Sequence, residues 1–125
     1  LGRIEPETMA ELYQSADIML NASLVDNTPN SIIESLACGT PVVSTNVGGI
    51  PKLVTHGHDA MLVDPKDHAL MAKYCCELLA DDGLRSALVD NGLKTVSQFF
   101  WPNVWQHLSQ RYQESVVQIK RVPHA

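Results

Sequence analysis

The stretch LVDNTPNSIIESLACGTPVVS, residues 24–44, decides the fold. It reads as loop, helix, stop and strand. Thr28 suits an N-cap, and Pro29 suits the first helical position, where its missing N–H is not needed. The spacing predicts a helix from about Pro29 to Cys38, closed by Gly39, with Ile33, Leu36 and Ala37 facing a core and Ile32 nearby. Pro41–Thr45 is then a β-branched strand, and upstream DIMLNAS, Asp17–Ser23, is a second apolar one. Strand, helix and strand in so few residues make a parallel pair with a right-handed crossover.

The same grammar continues outward. EPETMAELYQSA predicts a helix started at or just after Pro6, with acids Glu5 and Glu7 at its positive end and Met9, Leu12, Tyr13 and Ala16 on one face. NVGGIPKLV reads as a Gly-Gly loop and a helical turn, HGHD as a turn, and AMLVD as a third strand. Three helices follow, from about Lys66, from the region of Gly83, and from Pro102. Trp101 and Trp105, four residues apart, read as the hydrophobic anchor of the last. Short, continuous apolar strands separated by helices predict an α/β fold, a Rossmann-like parallel sheet buried on both faces. Leu1-Gly2 reads as the tail of a further strand, so the chain is expected to lack a preceding β-α-β portion.

Composition bounds the function. The chain has 125 residues, 45% apolar and 18% charged, enough for a core. A net charge of −5 with no Lys/Arg cluster beyond Lys120–Arg121 argues against nucleic acid. Three cysteines without ligand spacing read as free thiols of a reducing compartment. No apolar run has the length of a membrane span. His56 and His58 read as turn residues, since a metal would need two further ligands. No Gly-x-Ser-x-Gly elbow surrounds Ser23 or Ser44, and Gly48-Gly49 lacks a dinucleotide-binding spacing.

The chemistry concentrates in the opening stretch. In an open α/β sheet ligands sit beyond the carboxyl ends of the strands. The loop after Ser23 is such a place, and it carries Asp26. The helix beyond it aims free N–H groups, from about Asn30 and Ser31, and the positive end of its dipole at the same crevice, a site for an anion such as phosphate. Glu34 lies on the Asn30–Glu34–Cys38 stripe, roughly 6 Å further along the axis. A carboxylate there accepts two hydrogen bonds, as a ribose diol would offer. Asp26 is placed to reach a second polyhydroxyl group. Hydroxyls on both sides of a diphosphate describe a nucleotide sugar.

The block ADIMLNASLVDNTPNSIIESLACGTPVVSTNVGGIPKLV resembles the donor-binding segment of the retaining glycosyltransferases of family 4, the group 1 glycosyltransferases of GT-B fold. The resemblance is carried by Ser23, Asp26, Glu34, Ala37, Gly39, Pro41, Val42, Val43, Gly48 and Gly49. It extends to HGHDAMLVDP and to FFWPNVWQHL. It implies that residues 1–125 are a nucleotide-sugar-binding C-terminal domain, part of the C-terminal half of a GT-B fold. The parent would be a hexosyltransferase. It would take a nucleotide-diphosphate sugar as donor substrate, need no cofactor or metal, and retain anomeric configuration.

By the resemblance Glu34 binds ribose, Asp26 faces the transferred sugar, and the loop Asn27, Thr28, Pro29, Asn30 and Ser31 binds sugar and diphosphate through its amides. The sugar, lipid or protein acceptor would be held by an N-terminal domain before Leu1, together with the family's Arg and Lys for the diphosphate. The isolated chain would then be inactive. A cytoplasmic setting is expected, with peripheral membrane association open for the parent. Asp26 is one methylene shorter than the Glu usual at its place, and Lys52 stands where an acid is common. Two alternatives remain open on the residues: a nucleotide-sugar epimerase of the same fold, and a non-catalytic module that binds a nucleotide sugar or a protein.

Overall fold

The computed structural model describes residues 4–120, with side chains described at 4–5 and 8–115. The strand tail expected at Leu1-Gly2, and Arg121, lie outside the described residues. The elements run α1 (Pro6–Ser15), β1 (Met19–Asn21), α2 (Asn30–Ala37), β2 (Val42–Thr45), α3 (Ile50–Leu53), β3 (Met61–Val63), α4 (His68–Ala80), α5 (Asp82–Ser97) and α6 (Trp101–Lys120). The three strands form one parallel sheet in the order β1-β2-β3. This is the expected α/β architecture, a parallel sheet flanked by helices. The strands are shorter than the apolar runs that announced them, because pairing stops where the chain turns toward its loops.

Strand geometry splits the core in two. Successive side chains point to opposite faces. Val42 and Leu62 therefore meet Ile32 and Leu36 of α2 and Ile50 and Leu53 of α3 on one face. Val43, Met61 and Val63 meet Met71 and Leu78 of α4 and Leu88 of α5 on the other. α5 joins both halves, since its Val96 belongs to the first cluster. Leu20 is in register with Val43 and so points to the second face. There it is 54% exposed.

Caps and turns follow local chemistry. Asp67 and Asp81 cap α4 and α5 by accepting from Leu70 N and Leu84 N. Gly39 takes φ +77 at the end of α2, the left-handed stop that its sequence position suggested. The HGHD turn is tied down by the buried carboxylate of Asp59, which accepts from Thr55 N at 2.6 Å and from Thr95 Oγ1 of α5 at 2.6 Å.

Three expectations are corrected. Thr28 is not the N-cap and Pro29 is not helical: Pro29 is the flanking residue, extended at ψ 118, and no side chain caps α2. Just upstream, the backbone of Asp26 and Asn27 is pressed against Gly48–Gly49. The buried positions of α2 are Ile32, Ser35 and Leu36, while Ala37 is exposed. The core therefore lies about one position toward the N-terminus of where the spacing placed it. Trp101 and Trp105 do not anchor α6: they are 68% and 57% exposed and stack on each other, ring centroids 6.1 Å apart.

Candidate functional site

The loop beyond β1 is pinned by Thr45, at the carboxyl end of β2, and by the Gly48–Gly49 turn that follows it. At its start, Asn21 Oδ1 accepts from Ser23 N and from Ser23 Oγ at 2.7 Å, folding the chain into a turn. Buried Thr45 donates its hydroxyl to the Ser23 carbonyl at 2.6 Å. At its end, Gly49 N donates to the Asp26 carbonyl at 3.2 Å. The apposition is backbone on backbone. A Cβ built on Gly48 would lie 1.7 Å from Asp26 O, and one on Gly49 1.7 Å from Asn27 O. Gly48 also has φ +55. The Gly-Gly pair is required because any side chain would displace the loop that carries Asp26.

From that loop the chain enters α2. Pro29 has no N–H, and its carbonyl accepts from Ile32 N at 3.1 Å. The amides of Asn27, Thr28, Asn30 and Ser31 donate to no backbone carbonyl among the described residues. A helix start with free donors and no cap concentrates positive potential. Of the five loop residues singled out in the sequence, four therefore offer amides, and Pro29 offers shape. Asp26 is half-buried, and its carboxylate hydrogen-bonds to nothing among the described residues.

Glu34 follows one helical turn after Asn30 and is exposed. Its Oε2 accepts from the Tyr13 hydroxyl of α1 at 3.3 Å. Burial, then the charge of Glu34 and the hydrogen bond to it, and lastly Cys38 push the Tyr13 phenol above its ordinary pKa. Beside this pair opens a cleft of about 350 Å³ lined by Ile4, Met9, Ala10, Tyr13 and Glu34. Glu34 thus stands between an uncapped helix start and this recess. Tyr13 was legible only as a core-facing residue of its helix; its contact with Glu34 spans 21 residues and has no local signature.

A second cleft, of about 340 Å³, lies over the carboxyl ends of the strands, with Ala22, Val63 and Met71 in it and Asp64, Lys66 and His68 on its rim. Lys66 at φ 72 is the one non-glycine residue with positive φ among those described. The histidines of the HGHD turn are exposed. His56 has a structural task there, its Nδ1 accepting from Leu62 N at 3.0 Å and tying the turn to β3. Among the described residues no three His, Cys, Asp or Glu side chains gather as a metal would need. Cys38 and Cys75 are half-buried and Cys76 exposed, all three as free thiols.

Residues 1–81 match the family described as "Glycosyl transferases group 1". The D-inositol 3-phosphate glycosyltransferase of Corynebacterium kroppenstedtii is 34% identical over 119 residues, which is 95% of this chain and 26% of that protein. Sucrose-phosphate synthase from Thermosynechococcus elongatus superposes with a TM-score of 0.83 at 29% identity, over 94% of this chain and 30% of its own. Anabaena HepE, solved in complex with UDP, gives a TM-score of 0.73 at 25% identity, over 86% of this chain and 29% of its own. The chain spans about a quarter of the length of the curated relatives it matches.

Proposed function

The chain belongs to the group 1 glycosyltransferases, and from that premise we propose that it is the C-terminal, donor-holding domain of a retaining family 4 enzyme. The enzyme moves a hexose-type sugar from a nucleotide diphosphate to an acceptor held by the rest of the protein, in the cytoplasm. The observation that carries the reading is the sequence of groups leading into and along α2: four amides with no backbone partner among the described residues, then an exposed carboxylate one turn on, beside a recess.

In this reading each part meets a different piece of the donor. The amides of Asn27, Thr28, Asn30 and Ser31 receive the diphosphate, and the helix dipole favours its charge. When the glycosidic bond breaks, negative charge grows on the departing diphosphate, and donors already aimed at it lower the barrier. Glu34 accepts from the ribose 2′- and 3′-hydroxyls. The ribose lies between phosphate and base, so the base falls on the other side of Glu34 from the helix start. The recess of Ile4, Met9, Ala10 and Tyr13, of about 350 Å³, has room for a flat ring. Asp26, whose carboxylate has no hydrogen-bond partner among the described residues, orients the hydroxyls of the transferred sugar. The UDP complex of Anabaena HepE supports a nucleotide of this class.

Calorimetric titration with UDP and GDP tests the assignment. The expected result is binding of at least one, weakened about ten- to a hundredfold by Glu34→Ala, the range for hydrogen bonds to a charged group. Binding that Glu34→Ala leaves untouched would sink the ribose assignment. Transfer itself is read on the protein containing this chain, where the expected product is a glycosylated acceptor rather than an epimerised donor.

A further inference from the structure

Glu34 is an exposed glutamate on a short helix, and such a side chain would ordinarily sample several rotamers. Four linked contacts restrict it. Ser35, next in the chain and fully buried, donates from Oγ to the Thr40 carbonyl at 3.2 Å. Thr40 returns its N–H to the Ser35 carbonyl at 3.0 Å. Thr40, 2% exposed, also sends its hydroxyl to the backbone carbonyl of Tyr13 at 2.6 Å. The Tyr13 phenol then reaches Glu34 Oε2 at 3.3 Å. The path Glu34–Ser35–Thr40–Tyr13 and back to Glu34 is closed. Its two inner members are buried and cannot exchange their bonds for water, so the Cα of Tyr13 is fixed relative to α2. A tyrosine has only two side-chain torsions left to lose.

We propose that Tyr13 is a positioning residue for the nucleotide ribose: its hydroxyl orients the Glu34 carboxylate so that both oxygens meet the diol. The inference rests on the reading of Glu34 given above. The phenol uses one lone pair of Oε2 and leaves Oε1 and the remaining lone pair of Oε2 for the two hydroxyls. At 3.3 Å the bond is long for O–H···O. The ring of Tyr13 lines the recess assigned to the base, and Tyr13→Phe keeps that ring; the hydroxyl, which it removes, acts through Glu34 and not on the nucleotide itself.

The test compares UDP with its 2′,3′-dideoxy analogue, and GDP with its own, by calorimetry on the protein containing this chain. Wild type is expected to prefer the ribose form of whichever base binds more tightly. Tyr13→Phe is expected to weaken that form about tenfold, leave the dideoxy form unchanged, and melt as wild type does. In a Glu34→Ala background it adds nothing. Equal weakening of ribose and dideoxy forms, or a loss that persists in Glu34→Ala, overturns the proposal, the first pointing to packing and the second to direct contact. A wild type that does not distinguish the two forms brings down the reading of Glu34 and this proposal together. Discrimination in wild type that Tyr13→Phe leaves intact brings down the proposal alone. Should the Phe variant not fold, 3,5-difluorotyrosine at position 13 carries the test. Its phenol ionises at lower pH and can then no longer donate, so ribose-form affinity falls at lower pH than in wild type. An unmoved pH profile overturns the proposal.

Discussion

Tyr13 and Gly49 show how much a single residue decides here. The Tyr13 phenol has its pKa raised by burial and by the Glu34 charge. A group whose folded-state pKa is raised favours the folded state while protonated. Its contribution is complete below the ordinary phenol value of 10.0 and is lost as pH rises through the higher folded value. Chemical denaturation followed across the alkaline range should show stability falling above that ordinary value, with this component absent in Tyr13→Phe. Gly49→Ala would put a Cβ 1.7 Å from Asn27 O. Overpacking against backbone costs about 1–3 kcal/mol, so urea unfolding should show a loss of that order, and nucleotide binding should fall with it as Asn27 moves. The Gly-Gly pair was legible in the sequence, but its target was not. A pattern of two glycines says that something comes close without saying what, and here it is the chain's own acid-bearing loop.

At the scale of elements, the sheet and helix order could be read directly, because β-branched runs and amphipathic spacing are local signals. Where α2 starts and which way it faces could not. Thr28-Pro29 has the composition of a helix start, yet Pro29 is extended and the first helical position falls to Asn30, just after Asp26 and Asn27 meet Gly48–Gly49. Glu34 and its stripe survive that shift, because the i, i+4 relation with Asn30 does not depend on the boundary. The HGHD turn shows the reverse case, a segment that looked like surface and does structural work. Asp59 fastens it to both Thr55 and Thr95 of α5. Asp59→Ala should destabilise by about 2–4 kcal/mol, two buried bonds to a charged acceptor at 1.5–3 kcal/mol each partly offset by relaxation. Thr95→Val, which removes one partner, should cost less. Thermal melts of the two variants check the order.

For the molecule as a whole, the described residues contain no helix long and apolar enough to cross a membrane. Apolar surface nonetheless remains bare, in Leu20 on the sheet and in Trp101, Trp105 and Tyr112 along α6. Trp101→Ala and Trp105→Ala are therefore expected to change unfolding free energy by no more than about 0.5 kcal/mol, as at exposed positions generally. Indole fluorescence of wild type should be readily quenched by iodide. A loss of several kcal/mol would show that the pair is buried after all. The sequence spacing of the two tryptophans suggested an anchor, and spacing alone cannot say what lies opposite. For anyone reshaping this protein's preferences by library selection, the backbone apposition of Asp26–Asn27 with Gly48–Gly49 sets the design rule. Insertions sampled in either segment alone would collide with the other, so productive variation has to be drawn from both segments at once, with lengths matched pair by pair.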